Sequence, residues 1–380
     1  MSERFQAERI GQAQSDFVLV GLMVLLLGLG LSILFSASYF HGTTLHKAPQ
    51  PYFYRQLLSV CVGALGAFLL SRISLDFLRR WIPALVFVTF GLTLLTFVPH
   101  VGVTVLGARR WIHFFGFSFQ PSELIKFTIV VYLAHIFSKK QDRIGDLVNT
   151  VMPPLIVSML FVALVYLQND FSTAFLILFL ALMMFFVARV PFGYLVFLIC
   201  TLVPLGGVLI FAKQHRVERI ISFLNPGKDL LGAGYQVAAS QSALIHGGLW
   251  GNGLGRGVSR LAHLPEAHSD FIFTALGEEA GFVGVIFVLA LFLAFAVRGY
   301  SIGLLCKDRF GYYLAFGFTT SILFQSLLNI AMICGLVPAT GIPLPFFSAG
   351  GSSILMTLAM CGLLLNLSRR ERAQNEEMDR

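Results

Sequence analysis

From Leu264 to Gly281 the sequence reads LPEAHSDFIFTALGEEAG, setting Glu266, His268, Asp270, Glu278 and Glu279 against the start of an apolar run, FVGVIFVLALFLAFAV. Charged groups are costly at a membrane, so an acid retained there needs a reason. Glu266, His268 and Asp270 alternate along a short segment beside a basic loop. A carboxylate in that setting suits a general base or a ligand for a divalent cation. Ser269 or Asp270 as the cap of a helix starting near Asp270 would explain one acid without any chemistry. It does not explain the cluster.

A second constellation is GARRWIHFFGFSFQPSELIKF, Gly107 to Phe127. Gly107 permits a turn, Arg109 and Arg110 offer guanidinium forks matched to phosphate, and Trp111 suits a membrane interface. Pro121 is placed as the first residue of a helix, and Glu123 and Lys126 then share one face inside an apolar run. An ionisable pair within a span is either a functional site or a salt bridge that fixes packing. In QNDFSTA, Asp170 reads as a helix cap. The glycine-rich run HGGLWGNGLGRG, His246 to Gly257, has neither a preceding strand nor the GK[ST] of a phosphate loop, which disfavours nucleotide binding. Finally GLVPATGIPLPFFSAGGSSIL, Gly335 to Leu355, interrupts the apolar pattern with Pro338, Pro343 and Pro345. Non-helical backbone at membrane depth is tolerated where protein or a wet cavity covers it, so this segment is expected to re-enter, with Ser348, Ser352 and Ser353 as its hydroxyls.

The elements that must position these groups follow from composition. With 57% hydrophobic and only 12% charged residues in 380, and a mean hydropathy of +0.80, the chain is too apolar for a soluble globule. Runs long enough to span a bilayer occur at about 17–37, 56–71, 81–98, 121–137, 151–167, 171–188, 192–212, 271–297, 311–335 and 349–367. The fold expected is an all-α polytopic membrane protein of about ten helices, in one domain over 17–367. A polar N-terminal segment 1–16 precedes it, without the pattern of a cleaved signal peptide. The tail 368–380 follows. The five cysteines show no metal or disulfide spacing and read as buried small hydrophobes.

Twenty-seven Lys and Arg against 19 Asp and Glu give a net charge of +8. In a membrane chain this implies cytoplasmic loops facing anionic lipid, and no nucleic-acid partner is expected. An even number of spans puts both termini, including RRER, in the cytoplasm, and most basic residues then obey the positive-inside rule. The exceptions, Arg109, Arg110, Lys213, Arg216, Arg219, Lys228, Arg256 and Arg260, fall in outer loops at about 99–120 and 213–270. Positive charge kept there points to an anionic ligand, although long loops also escape the rule.

These stretches, in this order and nearly end to end, resemble the shape, elongation, division and sporulation family, which includes the FtsW, RodA and SpoVE groups. The residues that carry the resemblance are GARRWI, FQPSELIK, the LNP..D..G.GYQ pattern from Leu224 to Gln236, GGLWGNGLGRG, LPEAHSDFIFTALGEEAG and GLVPATGIPLPFFSAGGSSIL. GARRWI and LPEAH are more similar to the division group, FtsW, than to the elongation group, RodA. Ala349 departs from the family's usual Tyr in SxGGSS.

The resemblance implies a ten-helix peptidoglycan glycosyltransferase of the bacterial cytoplasmic membrane. Such an enzyme polymerises lipid II into glycan strands at the outer face, for septal synthesis; a RodA-type elongation polymerase and a lipid II flippase are the alternatives. It implies Asp270 as the catalytic acid/base. Substrate-binding groups would come from Arg109, Arg110, Glu123, Lys126, Glu266, His268, Ser348 and Ser352. Mg or Mn at Asp270 is compatible with it. The implied partners are a class B penicillin-binding protein, which is a transpeptidase, and other divisome or elongasome membrane proteins.

Overall fold

The computed structural model describes residues 16–44, 50–105, 107–114, 117–225, 233–255 and 269–378. Seven long helices come first: α1 (Phe17–Thr44), α2 (Gln50–Leu70), α3 (Leu75–Leu95), α4 (Pro121–Lys140), α5 (Met152–Leu167), α6 (Phe171–Val187) and α7 (Phe192–Phe211). Two shorter helices follow within the large loop, α8 (Gln214–Leu224) and α9 (Ala233–Gly247). Three long helices complete the bundle: α10 (Ile272–Leu305), α11 (Arg309–Ile333) and α12 (Gly351–Met378). All ten expected long helices are therefore present, and the chain is a polytopic helical membrane protein. Eight of them are apolar and long enough to cross a bilayer unaided. The other two are α6, which is shorter, and α4, whose Glu123 and Lys126 dilute its apolar content.

The helices sort by depth. About two thirds of α11 and nearly three quarters of α12 are buried, whereas α7 lies almost wholly on the outside. Outward-facing Phe87, Phe197 and Val203 are what lipid-exposed surface requires. Because lipid tails are as apolar as leucine, helix association must come from close packing and hydrogen bonds. At Gly362 of α12 an added Cβ would stand 2.5 Å from the Ala67 carbonyl oxygen of α2, so only glycine admits that approach. Thr89 and Thr128 join α3 to α4 through a 2.8 Å hydroxyl pair. Asn366 donates to the carbonyls of Leu70, the last residue of α2, and of Ile73 in the turn that follows.

Several expectations need correction. The segment before α4 is not a plain loop but a small antiparallel sheet, β1 (Gly102–Val105), β2 (Ala108–Phe114) and β3 (Phe117–Phe119), in the order β1-β2-β3. Gly107, at φ +78°, turns the first hairpin, and Val105 pairs with Ala108. The apolar run after Asp270 is not one straight helix, because Gly281 breaks it at φ 65°, ψ −167°. It begins at Ile272 with Phe271 as an N-cap that makes no side-chain bond, so neither Ser269 nor Asp270 is the N-cap. Of the cysteines, all free among the described residues, only Cys361 is buried, while Cys61, Cys200 and Cys334 are exposed. An apolar side chain in a membrane bundle can face lipid as readily as the core.

Candidate functional site

Pro121 at the first position of α4 follows β3 directly, so the sheet and the N-terminal end of α4 form one unit. That unit is clamped to the α5–α6 corner. Arg109 N–H donates to the Gln168 carbonyl at 3.1 Å, and Asn169 Nδ2 to the Gly107 carbonyl at 3.2 Å. Asp170 caps α6 as its sequence suggested, with Oδ1 accepting from Thr173 N–H at 3.2 Å. Its other oxygen does more: Oδ2 accepts from Arg110 Nη1 at 3.1 Å and from Gln120 Nε2 at 3.4 Å. Burial would lower the proton affinity of Arg110, but the charge and hydrogen bond of Asp170, aided by Asp270 and Glu123, outweigh it and hold the guanidinium above its ordinary pKa. Arg109, by contrast, is exposed.

Asp270 is half-buried in the turn before α10, and it faces the proline-rich loop between α11 and α12. A Cβ added at Gly341 would lie 3.4 Å from Asp270 Oδ2. That loop is non-helical and packed into the protein: Leu344, Phe346 and Phe347 are buried. Its free carbonyls are satisfied by two residues one turn apart on α11. Gln325 Nε2 donates to the Pro343 carbonyl at 2.8 Å. Asn329 Nδ2 donates to the Ile342 carbonyl at 2.7 Å and to the Asp270 carbonyl at 2.8 Å. Asn329 therefore staples the turn carrying Asp270 to the loop it faces.

Lys126 is buried, and its ammonium is shared between Glu123, at 2.8 Å, and the side-chain oxygen of Gln325. The pair thus connects α4 through Gln325 to the proline-rich loop. The seryl groups are engaged with the protein's own backbone. Ser348 Oγ accepts from Leu344 N–H at 2.7 Å, and Ser352 Oγ accepts from Gln120 N–H at 3.0 Å. Glu266 and His268 lie outside the described residues.

Arg219, on α8, enters the site without having been singled out by its motif. Its Nη1 reaches the Ala339 carbonyl at 3.4 Å, two residues from Gly341. Arg219 keeps an exposed face; partial desolvation and the nearby charge of Arg110 depress its pKa, while Asp170 and Asp270 act the other way. The helix that carries it is anchored one turn earlier by Arg216. That guanidinium stacks over Tyr166 at 4.4 Å and Phe171 at 5.4 Å and donates to the Leu209 carbonyl at 2.9 Å.

The glycine-rich run has a structural use. Gly281 breaks α10 and frees the carbonyls of Glu278 and Glu279, which accept from Asn252 and Gly253 N–H at 3.0 Å each. In return Phe282 and Val283 donate to Gly248 and Leu249. Below the turn, Ser36 of α1 donates to buried Glu279. Two arginines in mutual reach, opposed by the carboxylates of Asp170 and Asp270 at the rim of an apolar bundle, are equipped to hold a phosphate-bearing ligand beside a base.

Comparison with known proteins gives a consistent answer. Residues 17–373 match the FtsW/RodA/SpoVE family, described as cell cycle protein. A probable peptidoglycan glycosyltransferase FtsW of Borreliella burgdorferi is 39% identical, covering 95% of this chain and 98% of its own. Stage V sporulation protein E of Bacillus subtilis is 37% identical, over 94% and 98%. Among solved structures, a chain of a peptidoglycan synthase complex that coordinates polymerization and crosslinking superimposes with a TM-score of 0.77 at 30% identity, covering 94% of this chain and 98% of that one. The rod shape determining protein RodA of Thermus thermophilus does so with 0.69 at 29%, with the same coverage.

Proposed function

The chain belongs to the FtsW/RodA/SpoVE family, and from that premise we propose that it is a peptidoglycan glycosyltransferase polymerising lipid II at the outer face of the cytoplasmic membrane. One observation carries the assignment of the site: Asp270 and Arg219 meet the proline-rich loop within two residues of each other, at Gly341 and Ala339. A base and a phosphate-binding cation at that spacing are what glycosyl transfer from a pyrophosphate requires.

In the reaction, Asp270 accepts the proton of the acceptor sugar hydroxyl as its oxygen attacks the anomeric carbon of the donor. The bond from that carbon to the pyrophosphate oxygen breaks, and the lipid-linked pyrophosphate departs as an anion. Arg110 and Arg219, with exposed Arg109 at the rim, stabilise the developing charge. Glu123 and Lys126 support the site from below through Gln325. A divalent cation, if bound, would be held by Asp270 and would supply electrostatic stabilisation of the departing anion. Among the described residues no group of three or more His, Cys, Asp or Glu comes together to hold one alone.

The FtsW names of relatives such as that of Borreliella burgdorferi favour a role in division. The synthase-complex likeness supports a class B penicillin-binding protein as partner. The distribution of basic residues supports cytoplasmic termini. The test is reconstitution of the purified chain with that partner and labelled lipid II in liposomes. Glycan strands support the polymerase; lipid II transfer between leaflets without strands supports a flippase instead.

A further inference from the structure

Helix α10 is longer than a membrane needs. Its 34 residues measure about 51 Å at 1.5 Å per residue, against a hydrocarbon core of about 30 Å. Gly281 divides it. From Ile272 to Glu279 the side chains are buried in protein, whereas Phe282, Val283, Ile286 and Phe287 form an exposed apolar stripe. Residues 282–305 alone reach about 36 Å and cross the bilayer without the rest. The break at Gly281 therefore marks the outer limit of the hydrocarbon.

At that level the glycine-rich turn projects from the bundle. It carries Ile245, Leu249, Trp250 and Leu254 at 76%, 65%, 80% and 70% exposure. A patch of apolar side chains this exposed marks a contact with protein or membrane. The patch continues the lipid-facing stripe of α10, because Phe282 N–H donates to the Gly248 carbonyl at 2.9 Å and Val283 N–H to that of Leu249 at 3.1 Å. Exposed His246 and Asn252 are interspersed with it. That mixture, with a tryptophan at its tip, suits the headgroup boundary better than the face of a packed helix.

The turn is also locked to the helix. An added Cβ would stand 2.1 Å from the Gly277 carbonyl oxygen at Gly247, and 2.1 Å from that of Glu279 at Gly251. At Gly281 it would stand 2.3 Å from the Gly251 nitrogen. Backbones this close cannot slide past one another, so whatever fixes the depth of the turn fixes the outer segment of α10. Asp270 stands two residues before that segment begins.

We propose that the turn from Ile245 to Leu254 is seated in the interface of the outer leaflet and thereby sets the height of Asp270 above the hydrocarbon. The seating is independent of the reaction. The height rests on the polymerase reading, since a substrate held by its lipid tail presents its pyrophosphate at one level of the membrane.

Two readouts keep these apart. Trp81→Phe/Trp111→Phe leaves Trp250 as the single tryptophan. In liposomes of phosphatidylcholine brominated in the upper acyl chain, its fluorescence should fall by about half, with little response to aqueous iodide. Quenching by iodide and not by the brominated lipid overturns the proposal. So does loss of the lipid quenching when the class B partner is added, which would make the patch that partner's docking surface. For the height, Leu249→Ser/Trp250→Ser/Leu254→Ser should lower strand synthesis about tenfold in liposomes and leave it within about twofold of wild type in detergent, where no leaflet sets a level. Trp250→Phe should retain activity in both. An equal fall of the triple variant in both media makes the turn a packing element and overturns the height assignment. An inactive wild type overturns the polymerase reading and the height with it, while the quenching alone decides the seating.

Discussion

Asn329 Nδ2 lies 2.8 Å from the backbone oxygen of Asp270, and the same amide group holds the Ile342 carbonyl at 2.7 Å. One side chain, itself fully buried, therefore fixes the distance between the proposed base and the loop opposite. Asn329→Ala would leave two carbonyls without that donor, at a cost of roughly 2 kcal/mol. Polymerisation should fall at least about tenfold while partner binding persists, because the loss is of positioning within the site. Co-purification of the partner, alongside strand synthesis, separates the two.

The Glu123–Lys126 pair is buried, so removing one member strands a charge. Lys126→Met should destabilise the protein by about 3–5 kcal/mol, and the double change Glu123→Gln/Lys126→Met should restore most of it. Thermal unfolding in detergent reads this directly. If the double variant is stable yet inactive, the ammonium acts on substrate; if it regains activity, the pair is architectural.

Asp170 has two separable duties. Asp170→Asn keeps an N-cap of equal quality for α6 but withdraws the charge that anchors Arg110. The cap is kept, so the loss of stability should be about 1–3 kcal/mol, from Arg110 left without its charged partner, while the KM for lipid II rises more than kcat falls. A steady-state titration of lipid II checks it.

The glycine turn offers a matched pair. Gly251→Ala puts a Cβ 2.1 Å from the Glu279 carbonyl oxygen, at φ +77°, whereas Gly255→Ala, at φ +76°, meets open space. The second should cost about 1–2 kcal/mol of backbone strain alone. The first should lower the melting temperature far more, since the backbone of α10 has nowhere to move.

How much of this was legible in the sequence depended on range. The spans, the Pro121 start of α4 and the Asp170 cap rest on local periodicity and helix-end chemistry; the start and the cap are found in place, while several helices run past the expected span ends, α12 as far as Met378 in the expected tail. Asn329 and Gln325 were not legible, because a lone amide in FQSLLNIAMI shows no partner. Its carbonyls come from residues 13 and 59 positions away. The structural use of the glycine run was hidden for the same reason: the carbonyls it serves are freed by a break at Gly281 inside a run that looks continuous. The sheet around Arg109 and Arg110 was masked by glycine and aromatic residues that also suit a loop. Arg219 was visible as a basic residue on the outer side, but only the fold brings it to Ala339.

The central claim is that Asp270 takes the proton from the acceptor hydroxyl. Its most direct test is the rate of glycan strand synthesis by Asp270→Asn in complex with the class B partner, with lipid II binding measured on the same preparation. The side chain keeps its size and loses its basicity, so the rate should drop by about 100- to 10,000-fold with binding retained. A rate within about threefold of wild type would contradict the assignment of Asp270 as the base.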